Sequence, residues 1–235
     1  METPARPLTG TLPPWEAVLA VVAHPDDESF GLGAVLDAFA RTGCSVSLLC
    51  LTRGEASTVH GTDGDLRTLR TAELSDAAAT LGLASATLGE HPDGELAVEP
   101  RAELAAEVVR AAVEAVADGL VVFDPSGVTG HPDHAAATRA AVEAADELGL
   151  PVLAWTLPLT VAQQLNEECG TRFVGHPPSE VDVVVAVTRD RQVEASRAHV
   201  SQAIPTSVLW RRLDLLGDTE HLRWLRPPDG RRSGP

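Results

Sequence analysis

The sequence has few cysteines and no long apolar run, and each shortage excludes a class of protein. Its three cysteines, Cys44, Cys50 and Cys169, lack CxxC spacing, so we expect free thiols in a reducing compartment, not a disulfide framework. No apolar stretch approaches the roughly 20 residues that a membrane-spanning helix needs. The first residues show no basic leader followed by a long apolar core. The sequence therefore predicts a cytoplasmic protein without a membrane anchor.

Positive charge is also scarce, and it comes from one residue type. The chain has no lysine, so all 18 basic residues are arginine, against 34 acidic residues and a formal net charge of -16. A surface of this charge repels phosphate backbones and anionic lipids. We therefore expect a small-molecule partner, with no nucleic acid and no membrane, while a homo-oligomer stays open.

What the sequence does contain is short apolar runs that alternate with longer stretches of helical periodicity. The runs are AVLAVVA (17–23), VSLLCLT (46–52), LVVFD (120–124), PVLAW (151–155) and VDVVVAV (181–187). Continuous apolar runs suit strands buried on both faces of a parallel sheet. The pattern predicts one α/β domain over residues 1–235, with a single Rossmann-like, mostly parallel sheet and helices on both faces. Residues 227–235 are expected to form a mobile tail.

The first apolar run leads directly into His24, Asp26, Asp27 and Glu28. In open α/β sheets, ligands bind at the carboxyl ends of the strands, so this cluster lies where a site is expected. His24 and Asp27 can both point at one divalent ion, which leaves Asp26 free to accept a proton. The alternative is that the acids cap the next helix. Adjacent carboxylates repel each other unless a cation intervenes, which favours a metal.

A second cluster, GHPDH, follows the run LVVFD and contains His131, Asp133 and His134. Taken alone, it is explained equally well by a loop histidine at 131 and a helix cap at Asp133. Two His-Pro-Asp clusters at the ends of two strands are harder to explain by capping. Together they supply two histidines and a carboxylate, which is the ligand number of a catalytic zinc site with one position left for water.

The motif AHPDDE, followed about a hundred residues later by GHPDH, resembles the LmbE-like, or PIG-L, zinc-dependent N-deacetylases. Relatives include N-acetylglucosaminyl-inositol deacetylase and mycothiol conjugate amidase. The segments LTRGEAST, LRTLRTAELSDAAATLG, HPDGEL and HVSQ agree, so the resemblance covers most of residues 17–204. It implies that His24, Asp27 and His134 bind zinc, although iron(II) would also suit these ligands. It further implies that Asp26 is the general base.

The resemblance also implies roles for four further residues. His131 would steady the oxyanion or help to protonate the leaving amine, and Asp133 would tune that histidine. Arg70 and Asp93 fall where relatives contact their substrates. His199 matches the late HxSQ position without an assigned role, and we expect it to be a surface histidine on a helical stretch. We expect His91 in a loop, with no strand leading into it.

The implied function is a metal-dependent hydrolase that removes an acetyl group from an N-acetylated sugar of the GlcNAc type, or from a related small molecule. The alternatives are an amidase that cleaves a mycothiol-type thiol conjugate, and a non-catalytic member that binds metal or sugar. Two departures bear on this: the family's glycine pair appears as Gly33-Ala34, and Thr129 replaces a tyrosine that assists the oxyanion in some members. A dinucleotide-binding oxidoreductase is disfavoured because Leu36 occupies the third glycine position of its fingerprint.

Overall fold

The computed structural model describes residues 10–59 and 65–228, and the strands of this part form one sheet. The strands are β1 (Ala17–Val22), β2 (Ser45–Thr52), β3 (Ser85–His91), β4 (Gly119–Phe123), β5 (Val152–Pro158), β6 (Gly175–His176), β7 (Val183–Ala186) and β8 (Thr219–Arg226). The helices are α1 (Asp27–Phe30), α2 (Gly33–Arg41), α3 (Leu66–Leu81), α4 (Arg101–Glu114), α5 (Gly127–Gly130), α6 (Pro132–Leu148), α7 (Leu159–Cys169), α8 (Asp190–Ala198) and α9 (Val208–Leu216), with a 3₁₀ helix at Pro178–Glu180.

The strand order places a topological switch point between β1 and β4. The order is β3-β2-β1-β4-β5-β8-β7, with β6 paired to β5. The first five strands of this order are parallel, whereas β8 is antiparallel to both β5 and β7. This confirms the predicted α/β fold with a mostly parallel sheet. The chain builds outward from β1 in one direction and from β4 in the other, which opens a crevice between their carboxyl ends.

The apolar run of β1 is explained by burial on both faces of the sheet. Val18, Ala20 and Val22 pack in one hydrophobic cluster, which also contains Leu36 and Phe39 of α2. The alternate residues of the strand pack in a second cluster with side chains of α4 and α6. Successive side chains of a strand point to opposite faces, so helices cover the sheet on both sides.

Some of the expectations fall outside what the structure describes. The predicted tail lies mostly beyond residue 228, where the description ends. In the described ranges, no helix is both long enough and apolar enough to cross a membrane. The cytoplasmic location stays a prediction.

Candidate active site

The two histidine clusters meet at the switch point of the sheet. β1 leads into His24, and β4 leads through α5 into His131 and His134. A cavity of 490 Å³ opens there, within the range of about 300–1,000 Å³ that is typical of small-molecule sites. All the residues predicted to form the site line this cavity except Asp133.

The turn after β1 fixes the orientation of the Asp27 carboxylate. Its Oδ2 accepts hydrogen bonds from the backbone N–H groups of His24 at 2.9 Å and of Ala23 at 3.2 Å. Its Oδ1 lies 3.1 Å from His134 Nε2. The Asp27 carboxylate therefore joins the two clusters across the crevice, and its side chain is 8% exposed.

The side chains of His24, Asp27 and His134 lie close together in this crevice, with the two oxygens of Asp27 facing one histidine each. His24 Nδ1 lies 3.2 Å from His134 Nε2 and 3.6 Å from Asp27 Oδ2. Tetrahedral donors about 2.0–2.2 Å from an ion lie about 3.3–3.6 Å apart, so these residues fit a zinc-type ion. Two further groups within the described ranges bring three ligand atoms within 4.8 Å of one another: His24 with His131 and His134, and His24 with Asp93 and Asp133.

The outer nitrogens of the two imidazoles are held by hydrogen bonds. His134 Nδ1 lies 3.1 Å from the carbonyl oxygen of Gly127, to which it donates, so in the neutral ring the lone pair of Nε2 is free to bind a metal. His24 Nε2 lies 3.1 Å from Asp93 Oδ1 and 3.4 Å from Asp133 Oδ2. Histidine ligands of metals are oriented by partners of these kinds.

Opposite charges are strongly paired in this cluster. Burial acts to raise the pKa of Asp27, but the charge of His134 and hydrogen bonds from both histidines hold that pKa well below its usual range. Burial acts to lower the pKa of His24, whereas its hydrogen bonds to Asp133, Asp27 and Asp93 bring the pKa well above the ordinary value. Metal binding would displace protons from these imidazoles.

Asp26 lies beside the three candidate ligands, and its backbone has a positive φ. Its φ of 119° is in the left-handed region, which is strained for a residue with a side chain. Its Oδ2 accepts a hydrogen bond from Arg70 Nη2 at 2.9 Å, and its backbone N–H donates to Glu28 Oε2 at 2.9 Å. Burial raises the pKa of Asp26 to about 6, against the opposing charge of Arg70. Its side chain makes no capping bond to α1, so the alternative of helix capping has no support at this position.

His131 is the N-cap residue of α6. Its Nδ1 accepts a hydrogen bond from the backbone N–H of Asp133 at 3.2 Å, which leaves the proton of the neutral ring on Nε2. Burial and the charges of His134 and His24 lower the pKa of His131. The ring centroid of His131 lies 4.8 Å from that of each of those two rings. A neutral imidazole with one N–H donor therefore stands beside the candidate ligands.

The Asp133 carboxylate is directed at His24, and the cap of α6 comes from His131 instead. Asp133 Oδ2, which faces His24, also accepts a hydrogen bond from the backbone N–H of Gly94 at 2.8 Å. Its Oδ1 is buried without a hydrogen-bond partner in the part of the chain that the structure describes. Asp133 reaches His131 through its backbone N–H and through charge, so its tuning role stays a prediction.

Arg70 and Asp93 lie within the hydrogen-bond network of the turn. Arg70 is 3% exposed and donates to the carbonyl oxygens of Gly54, at 2.8 Å, and of Pro25. Asp93 contacts His24, as described above. These contacts favour a positioning role for both side chains, and the substrate contact expected of them stays a prediction.

The structure contradicts the prediction that His199 is a surface histidine. Its side chain is fully buried, and its Nε2 lies 2.7 Å from Glu28 Oε1. The other oxygen of Glu28 holds the backbone of Asp26, so His199 supports the strained turn indirectly. The sequence signal was the extra acid at Glu28, which neither capping nor metal binding required. Its partner, 171 residues away, could not be read from the spacing.

The prediction for His91 is also wrong in one respect, because β3 leads into it. Its Nε2 lies 2.8 Å from Glu107 Oε2, and it does not line the cavity.

The wall of the cavity beyond the histidines is aromatic. The ring of Phe123 lies 5.0 Å from His134 and 5.3 Å from Trp155 between centroids. A side chain at Gly31 would meet Phe123 at 2.4 Å, so this close approach requires glycine.

Comparison with known proteins identifies the chain's relatives. Residues 19–145 match the sequence profile of the family described as PIG-L: GlcNAc-PI de-N-acetylase. A deacetylase of 1D-myo-inositol 2-acetamido-2-deoxy-alpha-D-glucopyranoside from Kineococcus radiotolerans is 32% identical over 54% of this chain and 44% of its own length. The chain thus spans less than half of that relative.

Two further comparisons cover most of the chain. A probable N-acetyl-alpha-D-glucosaminyl L-malate deacetylase from Bacillus anthracis is 29% identical over 88% of this chain and 91% of its own length. The structure of N,N'-diacetylchitobiose deacetylase from Pyrococcus horikoshii superimposes with a TM-score of 0.70 at 20% identity, over 90% of this chain and 84% of the other. The structural match shows a shared fold.

Proposed function

This chain belongs to the PIG-L, or GlcNAc-PI de-N-acetylase, family, and from that premise we propose that it is a zinc-dependent hydrolase that removes the acetyl group from an N-acetylated sugar of the GlcNAc type. The observation that carries the proposal is the convergence of His24, Asp27 and His134 beside Asp26, in a cavity of 490 Å³. The deacetylase names of the relatives support the same reaction.

His24, Asp27 and His134 would hold the metal, with their outer atoms fixed by the hydrogen bonds described above. The chemistry that zinc supplies in such a site is Lewis-acid activation of a water molecule and of the amide carbonyl. Asp93 and Asp133 orient the imidazole of His24, so the donor set is arranged before any ligand arrives.

Asp26 is proposed to take the proton from the attacking water and to return it to the departing amine. A pKa of about 6 leaves Asp26 largely ionised at neutral pH, while it is basic enough to accept a proton. Arg70 and Glu28 hold the carboxylate and the backbone of Asp26, so the base keeps one orientation throughout the reaction.

His131 is proposed to donate a hydrogen bond from Nε2 to the oxyanion that forms on the carbonyl oxygen. Its lowered pKa favours a neutral donor over the protonated histidine that this chemistry could also use. Thr129 lines the same cavity. Since the chain has no tyrosine, His131 is the side chain to which we assign the oxyanion, beside the Lewis-acid chemistry that a bound metal would supply.

The test is a panel of substrates assayed on chelator-treated protein, before and after zinc or iron(II) is added. We expect acetate release from N-acetylglucosaminides only after a metal is restored. Amine release from a thiol-conjugate amide, without acetate release from any sugar, would assign the chain to the amidases instead. No turnover of any substrate by the metal-loaded protein would contradict an enzymatic function.

A further inference from the structure

Arg212 of α9 places a buried positive charge on the aromatic wall of the cavity. Arg212 is 7% exposed, and it lines the cavity together with Phe30 and Trp155. Its Nη2 donates to the carbonyl oxygen of Phe30, and its guanidinium carbon lies 5.2 Å from the centroid of the Trp155 ring. Its Nε is buried and has no hydrogen-bond partner in the described ranges.

No carboxylate neutralises this arginine at close range within residues 10–59 and 65–228. Arg70, which also lines the cavity, is paired with Asp26 at 2.9 Å, whereas Arg212 makes no ion pair within 4.0 Å among the described residues. The nearby Glu220 is occupied by Arg189 at 2.6 Å and by Trp155 Nε1 at 2.7 Å. A buried charge without a partner destabilises a fold, and contact with an aromatic face offsets only part of that cost.

The protonation of the Arg212 guanidinium reflects its burial in the wall of the cavity. Burial lowers the pKa of Arg212 to about 10, although the charge of Glu220 opposes the shift. The side chain is still protonated at neutral pH, so it presents a desolvated cation to whatever fills the cavity.

We propose that Arg212 binds an anionic group, a carboxylate or a phosphate, on the substrate whose acetamido group lies at His24, Asp27 and His134. The inference rests on the proposed function and narrows its substrate class to N-acetylated sugars that carry a negative charge. A guanidinium offers planar, charge-assisted hydrogen bonds that match both anions. An anion bound there would supply the partner that residues 10–59 and 65–228 do not provide.

The acidic surface does not argue against an anionic substrate. The net charge of -16 acts through water, where salt screens charges over about 8 Å at physiological ionic strength. A contact inside the cavity is screened much less, so the local cation decides which substrate is retained.

The experiment compares two substrate pairs on the zinc-loaded chain: an N-acetylglucosaminide with a carboxylate on its aglycone against its methyl ester, and N-acetylglucosamine 1-phosphate against the methyl glycoside. We expect kcat/KM to favour the anionic member of one pair by about 10-fold to 100-fold, the range of a charged hydrogen bond. The pair with the larger ratio identifies the anion. In Arg212→Met that ratio should fall to about one, and in Arg212→Lys it should be partly retained.

Arg211→Met is the matched control, because it removes the same charge from the neighbouring position. Arg211 is 41% exposed in its side chain and pairs with Glu168 at 2.7 Å, away from the cavity. Its variant should keep the native substrate ratio. If Arg212 served only to anchor α1 through Phe30, Arg212→Met would lower the melting temperature and reduce turnover of both members of a pair equally. That outcome would overturn the inference.

A binding measurement separates this inference from the proposed reaction. The dissociation constants of the deacetylated amines, as carboxylate and methyl ester and as phosphate and methyl glycoside, are measured by calorimetry on the native chain and on Arg212→Met. The native chain could bind the anionic amine more tightly than its neutral counterpart, with no such preference in Arg212→Met and no acetate release in the assay. That result would support the anion site and contradict the deacetylase. Equal affinities within both pairs would overturn the anion site, whatever the turnover.

Discussion

Asp26 shows how one residue is held in a conformation that it would not adopt alone. A left-handed φ such as its 119° costs about 1–3 kcal/mol outside glycine, and it persists only where neighbours over-determine it. Here Glu28 holds the backbone N–H, and Arg70 holds the carboxylate. The strain keeps the Asp26 carboxylate beside the candidate metal ligands without joining them, which is what a general base requires.

Asp26→Asn should therefore separate catalysis from metal binding. Asparagine tolerates positive φ and keeps an oxygen for Arg70, but it cannot accept the proton. We expect kcat to fall by about 10²–10⁴-fold while the zinc content by mass spectrometry stays at the native level. Asp76→Asn, which makes the same charge change on the exposed face of α3, should retain native kcat. Native turnover by the Asp26 variant would show that another group is the base.

Among individual residues, those that belong to the short motifs are the ones that the sequence predicts best. The two His-Pro-Asp motifs predict histidines and a carboxylate at one edge of the sheet, and the resemblance to the LmbE-like family selects His24, Asp27 and His134 among them. The role of His199 could not be predicted from its HxSQ position, and Arg212 belongs to no motif at all. Their importance comes from burial and from partners that are distant in the chain.

Among the elements, a buried pair joins the end of α8 to α1. His199, directly after α8, and Glu28 of α1 are both fully buried. Because α8 packs against α1, this pair ties the turn at Asp26 to a helix that is distant in the sequence. Glu73 of α3 adds to the same junction by accepting hydrogen bonds at 2.7 Å from the backbone and the hydroxyl of Ser201.

Replacing His199 should destabilise the fold in a pH-dependent way. Burial acts to lower the pKa of His199, but the charge and hydrogen bond of Glu28 raise it above the ordinary value. A raised folded-state pKa contributes stability that is complete below about pH 6.5, the unfolded value, and is lost as the pH rises through the folded value. In urea titrations, His199→Leu should lower the free energy of unfolding by about 2–3 kcal/mol at pH 6, with a smaller loss at pH 9.

His199→Gln is the control for this prediction, because glutamine keeps a donor for Glu28 but does not titrate. Its loss of stability should be smaller than that of the leucine variant at pH 6. A difference between native and leucine proteins that stays constant from pH 6 to pH 9 would show that the histidine is uncharged in the folded chain.

The elements that sequence patterns missed are those without a continuous apolar run. β1, β2, β4, β5 and β7 coincide with the predicted runs, because both of their faces are covered or largely covered. β3 is mostly exposed at its start, and β8 carries partly exposed polar and aromatic residues along its length. Such strands form because they pair with neighbouring strands of the sheet, and a local sequence pattern carries no information about those neighbours.

For the molecule as a whole, topology brings the two motifs together. β1 and β4 are neighbours in the sheet although about a hundred residues separate them in the sequence, and a histidine cluster follows each strand. The rule that ligands bind where the strand order reverses predicted this meeting, once the two strands had been recognised. The contacts of Asp133 with His24 and of Glu28 with His199 depend on the packing of loops and helices around that crevice, so the sequence left them open.

Because the candidate ligands come from both halves of the sheet, a bound metal should stabilise the whole fold. A ligand at 100 times its dissociation constant adds about 2.7 kcal/mol to the free energy of unfolding, which for a chain of this size raises the melting temperature by about 5–10 °C. We expect this rise when zinc is added to chelator-treated protein in a differential scanning fluorimetry experiment. His134→Ala should abolish the rise because it removes a ligand, whereas His131→Ala should retain it, since His131 is assigned to the oxyanion. A rise that survives in His134→Ala and disappears in His131→Ala would move the metal to a donor set that includes His131, which also lies within 4.8 Å of the other imidazoles.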